Sequence, residues 1–171
     1  FRGEKNTNWE GGWRVPCAVR WPGVVKPGTV INDIFHHMDW LPTLLTAAGE
    51  PGVKQKLLKG HRAGDKTYKV YLDGYDQTEL LAGKGPGKRS NIYYFDDNAN
   101  FNAMRWNDWK VHFAFAMDGW AGPREPLNFP RMIHLRSDPY ETSLDSGMYT
   151  RFFGDQLWLF VPVQQEVGKW L

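Results

Sequence analysis

The sequence lacks several features that would assign a protein class at once. It has one cysteine, Cys17, in 171 residues, which excludes a disulfide within the chain. Its longest apolar run, residues 157–163, is far shorter than the roughly 20 residues that a membrane-spanning helix needs. Lysine and arginine (21) nearly balance aspartate and glutamate (19), and the net charge is +2. We therefore expect neither nucleic acid nor a membrane surface as a partner.

Common catalytic and metal-binding motifs are missing as well. The sequence contains neither a G-x-S-x-G nucleophile motif nor a phosphate-binding G-x-x-x-x-G-K-[ST] loop. Residues 96–100 resemble the opening of a calcium loop, but Phe101 replaces the required glycine and Asn107 the bidentate glutamate. His36 and His37 are adjacent and would face opposite sides of a strand, so they cannot chelate one metal. We expect no metal site in this chain.

The sequence is rich in aromatic residues, which account for 15% of the chain and include nine tryptophans. Most tryptophans are explained by burial of their large apolar rings in a core. Trp120 differs because it lies in a segment rich in glycine and proline, where a ring can stay exposed. We therefore take Trp120 as a candidate for contact with substrate. Asp97, in the loop at residues 96–100, is a second candidate, although a simple hairpin connection explains that loop equally.

Lys5 lies in a polar loop that is followed by the paired glycines Gly11 and Gly12. A lysine ammonium on a flexible stem suits the oxygens of a sulfate or phosphate group, and glycines let the backbone turn sharply. On these residues alone, a solvated loop lysine is the simpler interpretation. Glu10 and the glycines are expected to shape the loop, and Arg14 to pair with a carboxylate.

The sequence motifs in this segment and in several later ones favour a functional interpretation of Lys5. The motif K-x-T-x-W-E-G-G-x-R-V-P begins at Lys5. Further segments follow along the chain: R-W-P-G at Arg20, P-G-T at Pro27, M-D-W-L-P-T-L-L at Met38, L-D-G-Y-D at Leu72, Y-Y-F-D-D at Tyr93, N-D-W-K at Asn107 and L-R-S-D-P at Leu135. In wording and order these segments resemble the arylsulfatase family, whose second signature region has the form K-x-T-x-W/Y-E-G-G-x-R-x-P.

The resemblance implies a calcium-dependent sulfuric ester hydrolase with an alkaline-phosphatase-like fold. It assigns binding of the substrate's sulfate group to Lys5. The family's C-x-P-S-R motif, whose cysteine becomes the formylglycine nucleophile, does not occur, because Cys17 lies in V-P-C-A-V-R. The aspartates of the family's amino-terminal metal site are also missing. We therefore expect a carboxy-terminal portion of a sulfatase, inactive alone, whose Ca²⁺ ligands belong to a missing amino-terminal part.

Two other functions stay open. An autonomous module that binds glycans or sulfated polymers is suggested by the aromatic loops and by the basic residues Lys54, Lys56, Lys59 and Arg62. A phosphodiesterase or phosphatase of the same superfamily is the third hypothesis, although the W-E-G-G-x-R-V-P wording argues against it. Periplasmic, secreted and lysosomal locations are all compatible with the family.

Residues 1–82 are predicted to form the carboxy-terminal part of an α/β domain, at the edge of its sheet. Strands are expected at Val15–Trp21 and Ile31–His37. A helix should follow with Asp39 as its N-cap, and its buried stripe consists of apolar residues at helical spacing. These are Leu41, Leu44, Leu45 and Ala48.

Residues 83–171 are predicted to form a small antiparallel β-sheet subdomain packed with a helix. Its expected strands are Ile92–Phe95, Asn102–Trp106, Lys110–Ala116 and Met132–Arg136. Asn107 and Asp108 form a tight hairpin turn, and residues 118–130 an irregular loop. Pro162 is expected to open a last helix. One face of that helix should carry Val163, Val167, Trp170 and Leu171.

Overall fold

The computed structural model describes residues 1–170, apart from the side chain of Trp170. Over these residues the chain forms six α-helices and six β-strands. The helices are α1 (Glu10–Trp13), α2 (Trp40–Ala47), α3 (Val53–Lys59), α4 (Thr78–Leu81), α5 (Tyr149–Asp155) and α6 (Phe160–Trp170). The strands are β1 (His61–Ala63), β2 (Lys66–Tyr68), β3 (Asn91–Phe95), β4 (Phe101–Trp106), β5 (Trp109–Ala116) and β6 (Arg124–His134).

The chain divides into two compact units. One, here called the sheet unit, combines residues 1–16 with residues 91–171, and the other consists of residues 17–90. The amino-terminal segment therefore packs with strands that follow it by about a hundred residues. The expected assignment of residues 1–82 and 83–171 to two domains of an enzyme stays a prediction.

The sheet unit is built on a four-stranded antiparallel sheet in the order β3-β4-β5-β6. Strands β3, β4 and β5 fall where the sequence predicts them, whereas the predicted strand Met132–Arg136 agrees with β6 over residues 132–134 and is wrong for residues 135–136, which form a turn. Trp106 and Trp109 pair across the turn between β4 and β5, and Asn107 adopts the left-handed backbone conformation with φ of 53°. Asparagine tolerates this conformation well, so the predicted hairpin at residues 107–108 is confirmed.

Strand β6 begins earlier than expected, because part of the predicted irregular loop joins the sheet. Ala114 pairs with Pro126 and His112 with Arg131, so residues 127–130 of β6 leave the regular pairing. Prolines are tolerated there because β6 is an edge strand that donates to no further neighbour. The prediction of an irregular loop is therefore wrong for residues 124–130.

Helices α5 and α6 cover one face of this sheet. The fully buried apolar side chains between them are Met104, Val111, Met132, Leu159 and Val163. Helix α6 begins at Phe160, so Pro162 lies in its first turn, where a missing N–H donor has no partner to lose. Val163 and Val167 pack on the core as predicted. The predicted contributions of the Trp170 side chain and of Leu171 lie outside the described residues.

The unit of residues 17–90 differs from the prediction in its strands. Residues 15–21 and 31–37 form no strand, and Val15, in the first of these segments, is 62% exposed. Both strand predictions are wrong for this structure, because a strand needs a neighbour whose backbone it can pair with. The described part of this unit offers a single two-stranded hairpin, β1 with β2.

Helix α2 begins after Asp39 as predicted, but the buried face of the helix is a different one. Leu41 and Leu44 are exposed, whereas Pro42 and Thr43 are buried. The Asp39 side chain does not cap α2 and accepts hydrogen bonds from more distant residues. The predictions of an apolar buried stripe and of a side-chain cap are therefore wrong.

No described helix has the length and apolar character needed to cross a bilayer.

Candidate functional site

The Lys5 segment forms a compact loop that depends on paired glycines. The Thr7 hydroxyl donates to the Glu4 carbonyl at 2.6 Å. A Cβ atom at Gly11 would lie 2.3 Å from the Gly3 carbonyl oxygen, and one at Gly12 would lie 2.5 Å from the Glu4 carbonyl oxygen. Such distances exclude any side chain, so the predicted role of both glycines in shaping the loop is confirmed.

Asn8 fastens this loop to strand β5. Its Nδ2 atom donates to the Ala114 carbonyl at 2.7 Å, and its Oδ1 atom accepts from the Ala116 amide at 2.9 Å. The second Nδ2 hydrogen points to Nδ1 of His112 at 3.1 Å. Because Nδ1 of His112 accepts this bond, the ring hydrogen is on Nε2.

Glu10 follows two residues later and is completely buried. Its Oε1 atom accepts from the Tyr94 hydroxyl at 2.8 Å and from the Lys110 ammonium at 3.0 Å. Its Oε2 atom accepts from Nε of Arg14 at 2.7 Å, which confirms the prediction that Arg14 pairs with a carboxylate. Burial works to raise the pKa of Glu10, but Lys110 and the hydrogen-bond donors outweigh it and lower this pKa to about 2.

Lys110 connects Glu10 to a second buried carboxylate, that of Glu141. The Lys110 ammonium lies 3.0 Å from Oε1 of Glu141, and Oε2 of Glu141 accepts from the Glu10 backbone amide at 2.6 Å. Nε2 of His112 lies 3.4 Å from Oε1 of Glu141. Burial lowers the pKa of His112 to about 4, so its ring is neutral at pH 7. We call Glu10, Lys110 and Glu141 the buried ion cluster.

The loop that carries Lys5 borders a cavity of about 450 Å³. Lys5, Asp97 and Trp120, the three site residues predicted from the sequence, all line this cavity. The Lys5 ammonium lies 5.0 Å from the centre of the Trp120 ring, and the indole N–H of Trp120 donates to Asp97 at 3.1 Å. The Trp120 side chain is 75% exposed. The structure thus brings these residues together, while their roles in substrate binding stay predictions.

The neighbouring acidic loop does not offer a calcium site. Oδ1 of Asp96 accepts from the backbone amides of Asn98 and Asn100 at 2.9 and 2.8 Å, and Oδ2 accepts from the Asn100 side chain at 2.9 Å. The carboxylate therefore closes its own turn. Within residues 1–170, no three His, Cys, Asp or Glu side chains are grouped so as to hold a metal ion. The residues of this loop therefore do not fit Ca²⁺.

Sequence reasoning missed Lys110 and Glu141 as parts of this site. Lys110 had a usable signal, since it is a charged residue flanked by Trp109 and Val111 in a strand whose side chains are mostly buried. Glu141 had none, because it lies in an irregular segment. Its left-handed backbone, with φ of 55°, is unusual for a glutamate and becomes visible in the three-dimensional structure alone.

Comparisons with known proteins give this arrangement a context. A crystal structure of a sulfatase from Pseudoalteromonas sp. superposes with a TM-score of 0.72 and 25% identity, and covers 97% of this chain and 32% of the other. The expected α/β fold class is thereby confirmed, in its alkaline-phosphatase-like form.

Sequence comparisons agree with the structural match. Residues 1–50 match the family model of the sulfatases. Mouse steryl-sulfatase is 35% identical over 117 residues, and human arylsulfatase A is 33% identical over 113 residues. The resemblance to the sulfatase family that the sequence indicates is thereby confirmed. The matches cover 66% and 64% of this chain but 16% and 19% of the two relatives, so the chain corresponds to a small part of each.

Proposed function

We propose that this chain is the carboxy-terminal portion of an arylsulfatase-like enzyme and that Lys5 binds the sulfate group of its ester substrate. The observation that carries the proposal is the cavity, in which the ammonium of the motif lysine lies beside Trp120. The names of the relatives, a steryl-sulfatase and an arylsulfatase, support a sulfate ester as substrate.

The chemistry of a sulfate ester suits this lysine. Hydrolysis develops negative charge on the sulfuryl and leaving-group oxygens, and a fixed cation close to them stabilises the transition state. Asn8 and Glu10 fix the loop on the sheet, so the ammonium approaches a bound ester from a defined direction. In the proposed enzyme the formylglycine nucleophile and the metal ligands come from the amino-terminal part.

The proposal is tested by following the amide and indole signals of the ¹⁵N-labelled chain while sodium sulfate or 4-nitrophenyl sulfate is added. Sodium chloride of equal ionic strength is the reference. We expect saturable shifts confined to residues around the cavity, with Gly119 and the Trp120 indole among them. Lys5→Ala should abolish the shifts. Lys84→Ala, which removes another exposed loop lysine, should leave them unchanged.

Two results would contradict the proposal. Shifts that persist in Lys5→Ala would show that sulfate binds elsewhere on the chain. Steady hydrolysis of 4-nitrophenyl sulfate by the purified chain would mean that the missing nucleophile is not needed, which contradicts its assignment to another part of the enzyme.

A second candidate function is binding of a glycan or a sulfated polymer by the sheet unit alone. The exposure of Trp120 favours it, because an indole that is 75% exposed and oriented by Asp97 offers a flat stacking surface. Isothermal titration with dextran sulfate separates the two hypotheses. Affinity that survives Lys5→Ala and is lost in Trp120→Ala favours the binding module, whereas loss in both variants favours the sulfatase site.

A further inference from the structure

Lys110 carries a buried charge that has no direct part in the proposed binding of sulfate by Lys5. Its side chain has no exposed surface, and its ammonium lies 3.0 Å from a carboxylate oxygen of Glu10 and 3.0 Å from one of Glu141. Removing an ammonium from water is expensive, and an apolar side chain of similar volume often stabilises a core as well or better. Packing alone therefore does not explain why a lysine occupies this position in strand β5.

The two partners of Lys110 belong to segments that are remote in sequence. Glu10 follows the Lys5 loop, and Glu141 lies beyond strand β6. Arg2 adds a third connection, because its Nη1 atom donates to the Glu141 backbone carbonyl at 2.9 Å. Glu141 thus contacts the chain on both sides of Lys5, at Arg2 and at Glu10, and Lys110 contacts it at Glu10.

The loop has little regular structure of its own to hold it. Residues 1–9 form no helix or strand, and α1 is a single turn of four residues. The Glu10 backbone amide, at the start of that turn, donates to the Glu141 carboxylate at 2.6 Å. The loop is therefore held by the buried Trp9 ring, which packs with Ile133 and Leu135, and by polar contacts with β5 and with the Glu141 segment.

We propose that Lys110 is a positioning residue, which joins Glu10 to Glu141 and thereby fixes the Lys5 loop against strand β5 at the edge of the cavity. The ammonium does not touch the cavity, which is lined by other residues. Its effect on an anion passes through the backbone between Lys5 and Glu10. The part of this inference that concerns sulfate rests on the proposed function, and the part that concerns the loop does not.

The main test is the charge-balanced double variant Lys110→Met/Glu141→Gln, because Lys110→Met alone leaves two buried carboxylates facing each other. In the double variant Glu10 keeps its bonds to Arg14 and Tyr94, and the side-chain carbonyl introduced at position 141 still accepts from the Glu10 backbone amide. Lys169→Met is the control, since it removes a lysine from an exposed ion pair with Glu166.

Hydrogen exchange measures the loop directly. We expect the amides of Gly11 and Gly12, which donate to the carbonyls of Arg2 and Trp9, to exchange at least tenfold faster in the double variant. The amides of Met104 and Val111 in the sheet should change much less. The control should match the wild type at all four positions. Equal acceleration in loop and sheet, or none in the loop, would overturn the inference.

Glu141→Gln alone decides the matter if the double variant does not fold. It replaces the carboxylate oxygen nearest Lys110 by an amide group that cannot accept from the ammonium, while the Glu10 backbone amide keeps an acceptor, and we expect about a two- to tenfold faster exchange confined to the loop. Unchanged exchange in Glu141→Gln would then refute the inference.

The dissociation constant for sulfate distinguishes positioning of Lys5 from a role in stability alone, because a residue that only stabilises the fold would leave this constant unchanged. In the folded double variant the dissociation constant for sulfate, from the shift titration described above, should rise about tenfold while the melting temperature stays close to that of the wild type. Unchanged affinity together with faster loop exchange would overturn the positioning role toward sulfate. If the wild-type chain shows no sulfate shifts, the proposed function fails, and the exchange experiment still decides whether Lys110 fixes the loop.

Discussion

Each of the two compact units contains a buried carboxylate that accepts several hydrogen bonds, but they combine it with very different amounts of apolar core. In the sheet unit, Glu10 lies beside a sheet that carries two clusters of buried apolar side chains. In the unit of residues 17–90, Asp39 accepts from Arg89, Tyr75 and His36 at 2.6, 2.8 and 2.9 Å. The buried apolar side chains of this second unit are Pro42, Val53, Leu80 and Leu81.

The difference shows what each carboxylate does. Glu10 joins a segment to a sheet that has its own backbone ladder and core. Asp39 holds loops together where little else does, because the backbone of residues 17–36 and 69–77 has no strand or helix. We therefore expect the unit of residues 17–90 to be the more sensitive to loss of its buried carboxylate.

The largest effect is expected for Asp39→Ala. The substitution removes the carboxylate that faces the buried Arg89 guanidinium, and breaking such a pair costs about 3–5 kcal/mol. Opening free energies from native-state hydrogen exchange should fall by that amount at His36 and Tyr75, with little change at Met104. Asp33→Ala is the matched control, since it removes an exposed contact to the Gly87 amide and should cost about 1 kcal/mol or less. Equal losses in both units would contradict the comparison.

A smaller effect is expected for Gly11→Ala in the sheet unit. The added methyl group would lie 2.3 Å from the Gly3 carbonyl oxygen, so the loop must move at a cost of about 1–3 kcal/mol. Urea unfolding measures the loss. Gly154→Ala places the same methyl group in open space within α5, where a better helix former should stabilise by up to about 1 kcal/mol. Gly11→Ala as stable as the wild type would mean that the loop is not fixed on the sheet.

Of the three substitutions, His112→Gln is expected to change the free energy of unfolding least at neutral pH. It tests how the stability of the sheet unit changes in acid. The pKa of His112 is about 4 in the folded chain and near 6.5 when unfolded. Between these values the unfolded state binds more protons, so the wild type loses stability as the pH falls from 6.5 to 4. The contribution is fully present above pH 6.5.

Urea midpoints measured from pH 7 to pH 4 check this expectation. The glutamine introduced at position 112 keeps an N–H donor for Glu141 but does not titrate, so the midpoint of the variant should fall less steeply in this window. A variant that follows the slope of the wild type would show that His112 does not contribute. Glu10, whose pKa is lowered to about 2, contributes stability above pH 4.5 that is lost as the pH falls toward 2.

The sequence predicted the sheet unit better than the unit of residues 17–90, for physical reasons. The turn at residues 107–108 and the strands beside it follow from local backbone preferences and from alternation. The strands expected at 15–21 and 31–37 require neighbours to pair with, and no local pattern reports whether those are present. Leu41 and Leu44 show the same limit, because helical spacing predicts an apolar face but not what covers it.

The candidate site was predicted residue by residue and not as a constellation. Lys5 came from its motif, Trp120 from a segment of glycines and prolines, and Asp97 from an acidic loop. The Lys5 ammonium lies over the Trp120 ring, and the Trp120 indole N–H donates to Asp97. Both contacts depend on how β4, β5 and the following loop are arranged in space.

The order of amino acids was enough to specify the family, the antiparallel strands, the tight turn between β4 and β5 and the need for two glycines after Lys5. These features are local, since each depends on a few adjacent residues. Folding in three dimensions brings Glu10 to Lys110, 100 positions away, and to Glu141, 131 positions away. A charged side chain is tolerated inside a protein when it is paired with an opposite charge or a hydrogen-bond partner. Here those partners are remote in sequence, so no short stretch of the chain specifies them.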